Sequence, residues 1–251
     1  MDNTHEKKLF IFDLDGTLTA PKVQMTESMA LALSELIKKM SVAVISGGGY
    51  ARFQSQFLRS LPADTTGLGN LYLLPTSGTR LYIWQSDWVE KYREELTDPE
   101  KKTITGALQS AIKASGLDKL DKVFGVTIED RGSQVTFSAL GQEAPLELKL
   151  KWDPDHAKRT KLVEMLQPQI PKFDVRIGGT TSIDVTRRGI NKAYGIHKLE
   201  QYMNIPISQM VFVGDALFYG GNDYPVKATG VDCISVKGPE ETEALIRNWL
   251  Q

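Results

Sequence analysis

Residues 9–14, Leu-Phe-Ile-Phe-Asp-Leu, form a short run with no alternation of polar and apolar positions. A strand with one face in water alternates. One that does not must be covered on both faces, as in a parallel sheet with helices on either side. Asp15-Gly16-Thr17 follows at once and ends the strand in a turn. A chain with this opening points to an α/β layer structure.

The next elements agree. Thr26 caps a helix in which Met29, Leu33, Leu36, Ile37 and Met40 share one face. A second apolar strand at 42–45 ends in Ser46-Gly47-Gly48-Gly49. A further helix places Tyr50, Phe53, Phe57 and Leu61 on one face and stops at Pro62. Strands at 71–74 and 79–84 flank a Ser77-Gly78 turn. From about residue 85 the text turns more polar. A helix near 99–115, strands near 123–128 and 134–139, a helix near 154–166, and strands near 173–177 and 181–185 read as an α+β insert. After Arg188 the first pattern returns. It comprises a helix over 189–203, a strand at 210–213 ending in Gly214-Asp215, a strand at 231–236 and a closing helix over 240–250. The expected fold class is α/β: a Rossmann-like parallel-sheet core from residues 1–84 and 186–251, with an inserted α+β domain at 85–185.

Charge composition narrows the partners. Thirty Lys and Arg face 31 Asp and Glu, for a net charge of -1. That balance argues against nucleic acid and against a polybasic membrane surface. One cysteine, Cys233, excludes an intrachain disulfide and a cysteine-built zinc cluster. No apolar run approaches the roughly 18 residues of a spanning helix. Residues 1–8 are polar and lack an apolar leader. The expectation is a soluble cytoplasmic protein.

Four groups of residues carry chemistry, three of them at expected strand ends. Asp13 and Asp15 stand at i and i+2, which in a strand puts both carboxylates on one side. Ser46 and the Gly47 backbone offer a hydroxyl and N–H groups to a phosphate oxygen. Lys192, near a helix start, is a point charge suited to phosphate. Asp215, with Asn222 and Asp223 in the loop beyond it, supplies oxygen ligands of the kind Mg²⁺ prefers. Taken singly, each has a plainer reading: a turn or calcium-loop fragment, a flexible glycine loop, a solvated lysine, turn residues. Taken together, in this order at the carboxyl ends of parallel strands, they mark one site.

The set Asp13-Leu14-Asp15-Gly16-Thr17-Leu18-Thr19, Ser46, Lys192, Gly214-Asp215 and Gly221-Asn222-Asp223 resembles the haloacid dehalogenase-like superfamily of phosphotransferases. The resemblance implies Asp13 as the nucleophile of an aspartyl-phosphate mechanism and Asp15 as general acid and then base. It implies Ser46 and Lys192 as holders of the phosphoryl group. Mg²⁺ would lie on Asp13, the Asp15 carbonyl and Asp215, supported by Asn222 or Asp223. The insert fits the larger cap of the type IIB branch. Within that branch the chain is most similar to eukaryotic-type phosphomannomutase, through residues 177–185 (Ile-Gly-Gly-Thr-Thr-Ser-Ile-Asp-Val), Gly220-Gly221-Asn222-Asp223 and Thr127-Ile128-Glu129-Asp130-Arg131. This makes Ser182 and Asp184 candidates for sugar hydroxyls and Arg131 a candidate for a distal phosphate, with a plain surface arginine as its alternative. A homodimer through the cap is a further expectation by analogy.

One position departs. Gly141 is followed by Gln142, where the mutases carry a second cap arginine. A mutase must grip both ends of a bisphosphorylated intermediate, and a neutral amide grips less than a guanidinium fork. The sequence therefore favours a Mg²⁺-dependent phosphatase of a small phosphorylated metabolite, a sugar phosphate. Phosphomannomutase is the alternative, and a non-catalytic sugar-phosphate sensor the third reading.

Overall fold

The computed structural model describes residues 6–21, 23–119 and 122–251. Of the polar stretch at 1–8, residues 1–5 lie outside these.

Along the chain the elements are β1 (Leu9–Asp13), α1 (Glu27–Lys39), β2 (Ser41–Ile45), α2 (Tyr50–Arg52), β3 (Leu71–Leu74), β4 (Arg80–Trp84) and β5 (Trp88–Arg93). Then follow α3 (Asp98–Ser115), β6 (Ile128–Asp130), β7 (Gln134–Ser138), α4 (Leu146–Trp152), α5 (Ala157–Leu166), β8 (Phe173–Gly178) and β9 (Ser182–Arg187). The chain closes with α6 (Lys192–Met203), β10 (Met210–Gly214), β11 (Asp232–Ser235) and α7 (Pro239–Trp249).

Two compact units result, one formed by the residues up to Arg93 with Asn191–Gln251, the other by Glu94–Ile190. The first holds a seven-stranded sheet in the order β11-β10-β1-β2-β3-β4-β5. Its strands β11 to β3 are parallel, and β4 and β5 add an antiparallel edge. The second holds an antiparallel sheet, β6-β7-β9-β8. The expected α/β core with an α+β insert is thus the observed architecture. The division falls after Arg93 and Ile190, against the expected 84 and 185. Residues 88–93 pair with β4 and so stay with the first sheet, and β9 runs on to Arg187 before the chain returns.

Strand alternation in β1 decides where chemistry can go. Phe10, Phe12 and Leu14 enter one apolar cluster with α1, and Leu9 and Ile11 enter another with Ile196 and Leu199 of α6. Asp13 continues the Leu9–Ile11 face and so points toward α6. That helix can come close because Gly195 lacks a side chain: a Cβ there would meet the Ser77 carbonyl oxygen at 3.1 Å and press into Ile45. Asn191 caps the helix, accepting from Tyr194 N at 3.2 Å.

Other expectations are corrected. Helical periodicity over 50–61 gives way to a three-residue α2, a π-turn over Phe53–Phe57 and a 3-10 turn over Leu58–Ser60. The apolar residues Phe53 and Phe57 still face the core. The strand read at 123–128 reduces to Ile128–Asp130, with Val123 and Val126 exposed. The helix read at 154–166 is preceded by a separate α4, the break lying at Asp153.

In the second unit, α3 starts with a reciprocal cap. Thr97 N donates to Glu100 Oε2 at 2.6 Å, and Glu100 N to Thr97 Oγ1 at 3.4 Å. Arg187 of β9 grips the same carboxylate with Nε at 2.9 Å and Nη2 at 2.7 Å. The Arg187 bonds, then the Thr97 backbone bond, pull the Glu100 carboxyl down to about 2. Replacing Thr97 with Ala should cost about 1 kcal/mol of stability. Glu100 contributes fully above the ordinary glutamate range, and its contribution should fade as pH drops from about 4.5 toward 2. Denaturant titrations of wild type and Glu100→Gln across that window check this: the gap between them should close on acidification.

Candidate active site

Asp13 is the last residue of β1 and is buried. Its Oδ1 lies 2.5 Å from Lys192 Nζ, and the same ammonium contacts Asp223 Oδ1. Lys192 is the first residue of α6 and is itself buried. Carboxylate oxygens of Asp13, Asp215 and Asp223 lie within 4.8 Å of one another. They come from the ends of neighbouring strands β1 and β10 and from the loop after β10, so sheet order brings together residues far apart in sequence.

The loop after β1 is tightly wound. Leu18 N and Thr19 N both donate to the Leu14 carbonyl, at 3.1 and 3.0 Å. Gly16 N donates back to Thr19 O at 2.7 Å. Gly16 has φ of +91°, and a Cβ there would run into the Asp215 carboxylate, so both backbone and space demand glycine. Thr17 joins the two loops: its Oγ1 accepts from Asp215 N at 3.1 Å and donates to Asp215 Oδ1 at 3.4 Å. Asp223 is fixed by Ala216 N, which donates to its Oδ2 at 3.0 Å.

Ser46 follows β2 and is buried. Its Oγ accepts from Gly48 N at 3.0 Å, which leaves the hydroxyl proton to donate. A Cβ at Gly47 would meet nothing within 4 Å.

Asp15 differs from the sequence expectation. Strand β1 ends at Asp13, so strand alternation does not reach Asp15. Its carboxylate is partly exposed and pairs with Arg52, Nη1 to Oδ2 at 2.9 Å. The acids that converge with Asp13 are Asp215 and Asp223. Asn222 is exposed in the loop. The sequence pattern does not single out Thr17 or Arg52: the first lies among the acids of the 13–19 motif, and the second inside an expected helix.

Burial sets the electrostatics of the cluster. Burial, with Asp223 and Asp215 adding to it, pushes the Asp13 carboxyl well above the usual range, although Lys192 works the other way. Burial and then Asp223 raise Asp215 also. Burial opposes the Lys192 charge, but Asp13 and Asp223 outweigh it and hold the ammonium protonated. Three oxygen donors, one lysine and this excess of negative charge fit a hard divalent cation, which would relieve what burial penalises.

In the second unit, residues 127–131 place Arg131 just past β6. It forks onto Glu129 Oε2, with Nε at 2.7 Å and Nη2 at 2.6 Å. Asp184 of β9 accepts from Thr136 Oγ1 at 2.7 Å, and Ser182 lies two residues before it on the same strand face. The turn ahead of them is clamped by a buried guanidinium. Arg159 pairs with Asp153 at 2.8 Å and donates Nη1 to Gly179 O at 2.6 Å. Gln142 offers its backbone oxygen to the buried Lys149 Nζ at 2.7 Å. Its side-chain Nε2 is buried with no partner among the described residues.

The family model described as eukaryotic phosphomannomutase matches residues 29–251, beginning after the 13–19 loop. The phosphomannomutase of Spinacia oleracea is 27% identical over 238 residues, covering 92% of this chain and 91% of its own. Phosphomannomutase 2 of Dictyostelium discoideum is 25% identical over 256 residues, covering 98% and 97%. Among solved structures, a C-terminally truncated Plasmodium falciparum IMP-nucleotidase superposes with a TM-score of 0.73 at 19% identity, covering 99% of this chain and 73% of that one. A haloacid dehalogenase-like hydrolase from Bacteroides thetaiotaomicron gives 0.65 at 16%, covering 97% and 99%. These two show the fold alone. No described helix is long and apolar enough to cross a membrane.

A divalent cation should stabilise the folded chain. At a Mg²⁺ concentration about 100 times its Kd the gain is about 2.7 kcal/mol, or a rise in Tm of roughly 5–10 °C. Thermal unfolding with and without Mg²⁺ measures it. Asp215→Ala, at a half-buried ligand, should abolish the shift; an equal shift in that variant would place the cation elsewhere.

Proposed function

Because the chain belongs to the eukaryotic phosphomannomutase family, we propose that it isomerises a hexose phosphate by moving a phosphoryl group through an aspartyl-phosphate. The observation that carries this is the family match over 29–251, joined to a buried aspartate at a strand end with a lysine on it. The broader statement, a phosphoryl-transfer enzyme of the haloacid dehalogenase fold, follows from family and fold together. The phosphatase favoured by the sequence reading is the less well supported of the two.

In the first step an Asp13 oxygen forms a bond to phosphorus, the bond from phosphorus to the ester oxygen breaks, and Asp15 gives that oxygen its proton. In the second, a sugar hydroxyl attacks the same phosphorus, Asp15 takes the hydroxyl proton, and Asp13 is released. Ser46 donates its hydroxyl to a phosphoryl oxygen, and Lys192 keeps a positive charge against Asp13. Asp13, Asp215 and Asp223 would hold Mg²⁺, which when bound supplies charge stabilisation at the phosphoryl oxygens. Arg131, Ser182 and Asp184 are assigned by similarity to the distal phosphate and the sugar hydroxyls. A single cysteine and the lack of a spanning helix among the described residues support a cytoplasmic setting.

Gln142 favours a second reading, hydrolysis, in which water replaces the sugar hydroxyl. Hexose phosphates incubated with enzyme, Mg²⁺ and a hexose bisphosphate activator separate the two. Isomerised hexose phosphate that depends on the activator is the expected product; free phosphate as the sole product would establish the phosphatase. In either case Asp13→Asn should lower turnover by several orders of magnitude with the fold intact. Wild-type activity in that variant would remove the aspartyl-phosphate altogether.

A further inference from the structure

Arg52 has no part in the chemistry described so far, yet its side chain is held at both ends. It is the last residue of α2, immediately before the π-turn. At its tip, Nη1 donates to Asp15 Oδ2 at 2.9 Å, with the two side chains 25% and 23% exposed. Beneath it runs Gly48, where a Cβ would come within 2.7 Å of Arg52 Cδ and 3.1 Å of its Nε. Gly48 N is the group that donates to Ser46 Oγ. One short stretch, residues 46–52, therefore links the serine after β2 to the aspartate in the loop after β1.

Asp15 needs such a link. It lies past the end of β1, where no strand ladder orders it. Its backbone bridges to Thr19, and its carboxylate accepts from Arg52. A proton carrier works only within hydrogen-bond reach of the oxygen it serves, and small displacements cost large factors in rate. A guanidinium has a rigid planar fork, well suited to fixing one carboxylate rotamer.

We propose that Arg52 is a positioning residue for Asp15, and that Gly48 is a glycine so that the arginine stem can pass. This rests on the phosphoryl-transfer reading, in which Asp15 gives and takes the proton; Arg52 itself transfers none. The π-turn over Phe53–Phe57 starts directly after Arg52.

Steady-state kinetics on a hexose phosphate, with isomerisation and phosphate release both followed, test the proposal in wild type, Arg52→Ala, Arg52→Lys, Asp15→Ala and the Arg52→Ala/Asp15→Ala double variant. Arg52→Ala should lower kcat roughly 10- to 100-fold and leave KM within about threefold. Arg52→Lys should recover part of the loss. In the Asp15→Ala background the second substitution should change nothing further. An undiminished kcat, a loss confined to KM, or a full additional loss in the Asp15→Ala background would overturn the proposal, the last two marking Arg52 as a direct substrate contact. A second measurement does not depend on turnover. In a crystal structure of Arg52→Ala the Asp15 carboxylate should leave its wild-type rotamer or occupy several, and an unmoved Asp15 would also overturn the proposal. Wild-type enzyme that turns over no phosphate ester would sink the functional reading alone, with the Asp15 rotamer still deciding the role of Arg52.

Discussion

The ammonium of Lys192, buried against Asp13 and Asp223, is the contact on which the rest of the site depends. Charges leave water only when partners replace it, and removing one partner from a buried pair typically costs 3–5 kcal/mol. Three elements are tied by this one group: the end of β1, the start of α6 and the loop after β10. Apolar packing brings these elements together: Ile11 of β1, two residues before Asp13, and Phe212 of β10 lie in the same cluster as Ile196 and Leu199, which follow Lys192 along α6. The fold thus creates the electrostatic problem and supplies part of its answer. Burial keeps the Asp13 and Asp215 carboxyls raised even with the lysine beside them.

Sheet order explains why these residues meet. β1 lies between β10 and β2, so the loops that follow these three strands open side by side. Two of those loops are cross-linked by Thr17 and Asp215, and the third reaches over through Arg52 to Asp15. The glycines at 16 and 48 serve this convergence in different ways. Gly16 turns the chain where Asp215 leaves no room, and Gly48 yields its space to an arginine stem.

What was legible in the sequence was whatever strand burial alone dictates. Unalternating runs at 9–14 and 210–213 announce parallel strands, and the acids just past them are readable as a site. Strand spacing does not place Asp15, since the strand stops at Asp13; Asp15 sits in a wound loop beside an arginine, which periodicity does not encode. Arg52 was hidden by a helical pattern at 50–61 that the chain obeys only in its apolar residues. The edge strand β5, Trp-Val-Glu-Lys-Tyr-Arg, resembles polar insert in sequence because a strand at a sheet edge carries charge where an inner one cannot. The domain boundary moved with it.

The distinction between isomerisation and hydrolysis does not lie in the acid cluster. Under the proposed mechanism Asp13 and Asp15 would perform the same two steps whether the second acceptor is a sugar hydroxyl or water. The difference is whether a bisphosphorylated intermediate is retained, and by similarity that grip belongs to cationic side chains of the second unit. There Gln142 stands where the resemblance leads one to expect a guanidinium, and its Nε2 is buried with no partner among the described residues. The cation beside it, Lys149, already spends one of its three donors on the Gln142 carbonyl. A point charge so committed attracts an anion without orienting it. Under the proposed function, retention would rest on Arg131 together with the stretch 141–149, and the rate of either outcome on Asp13.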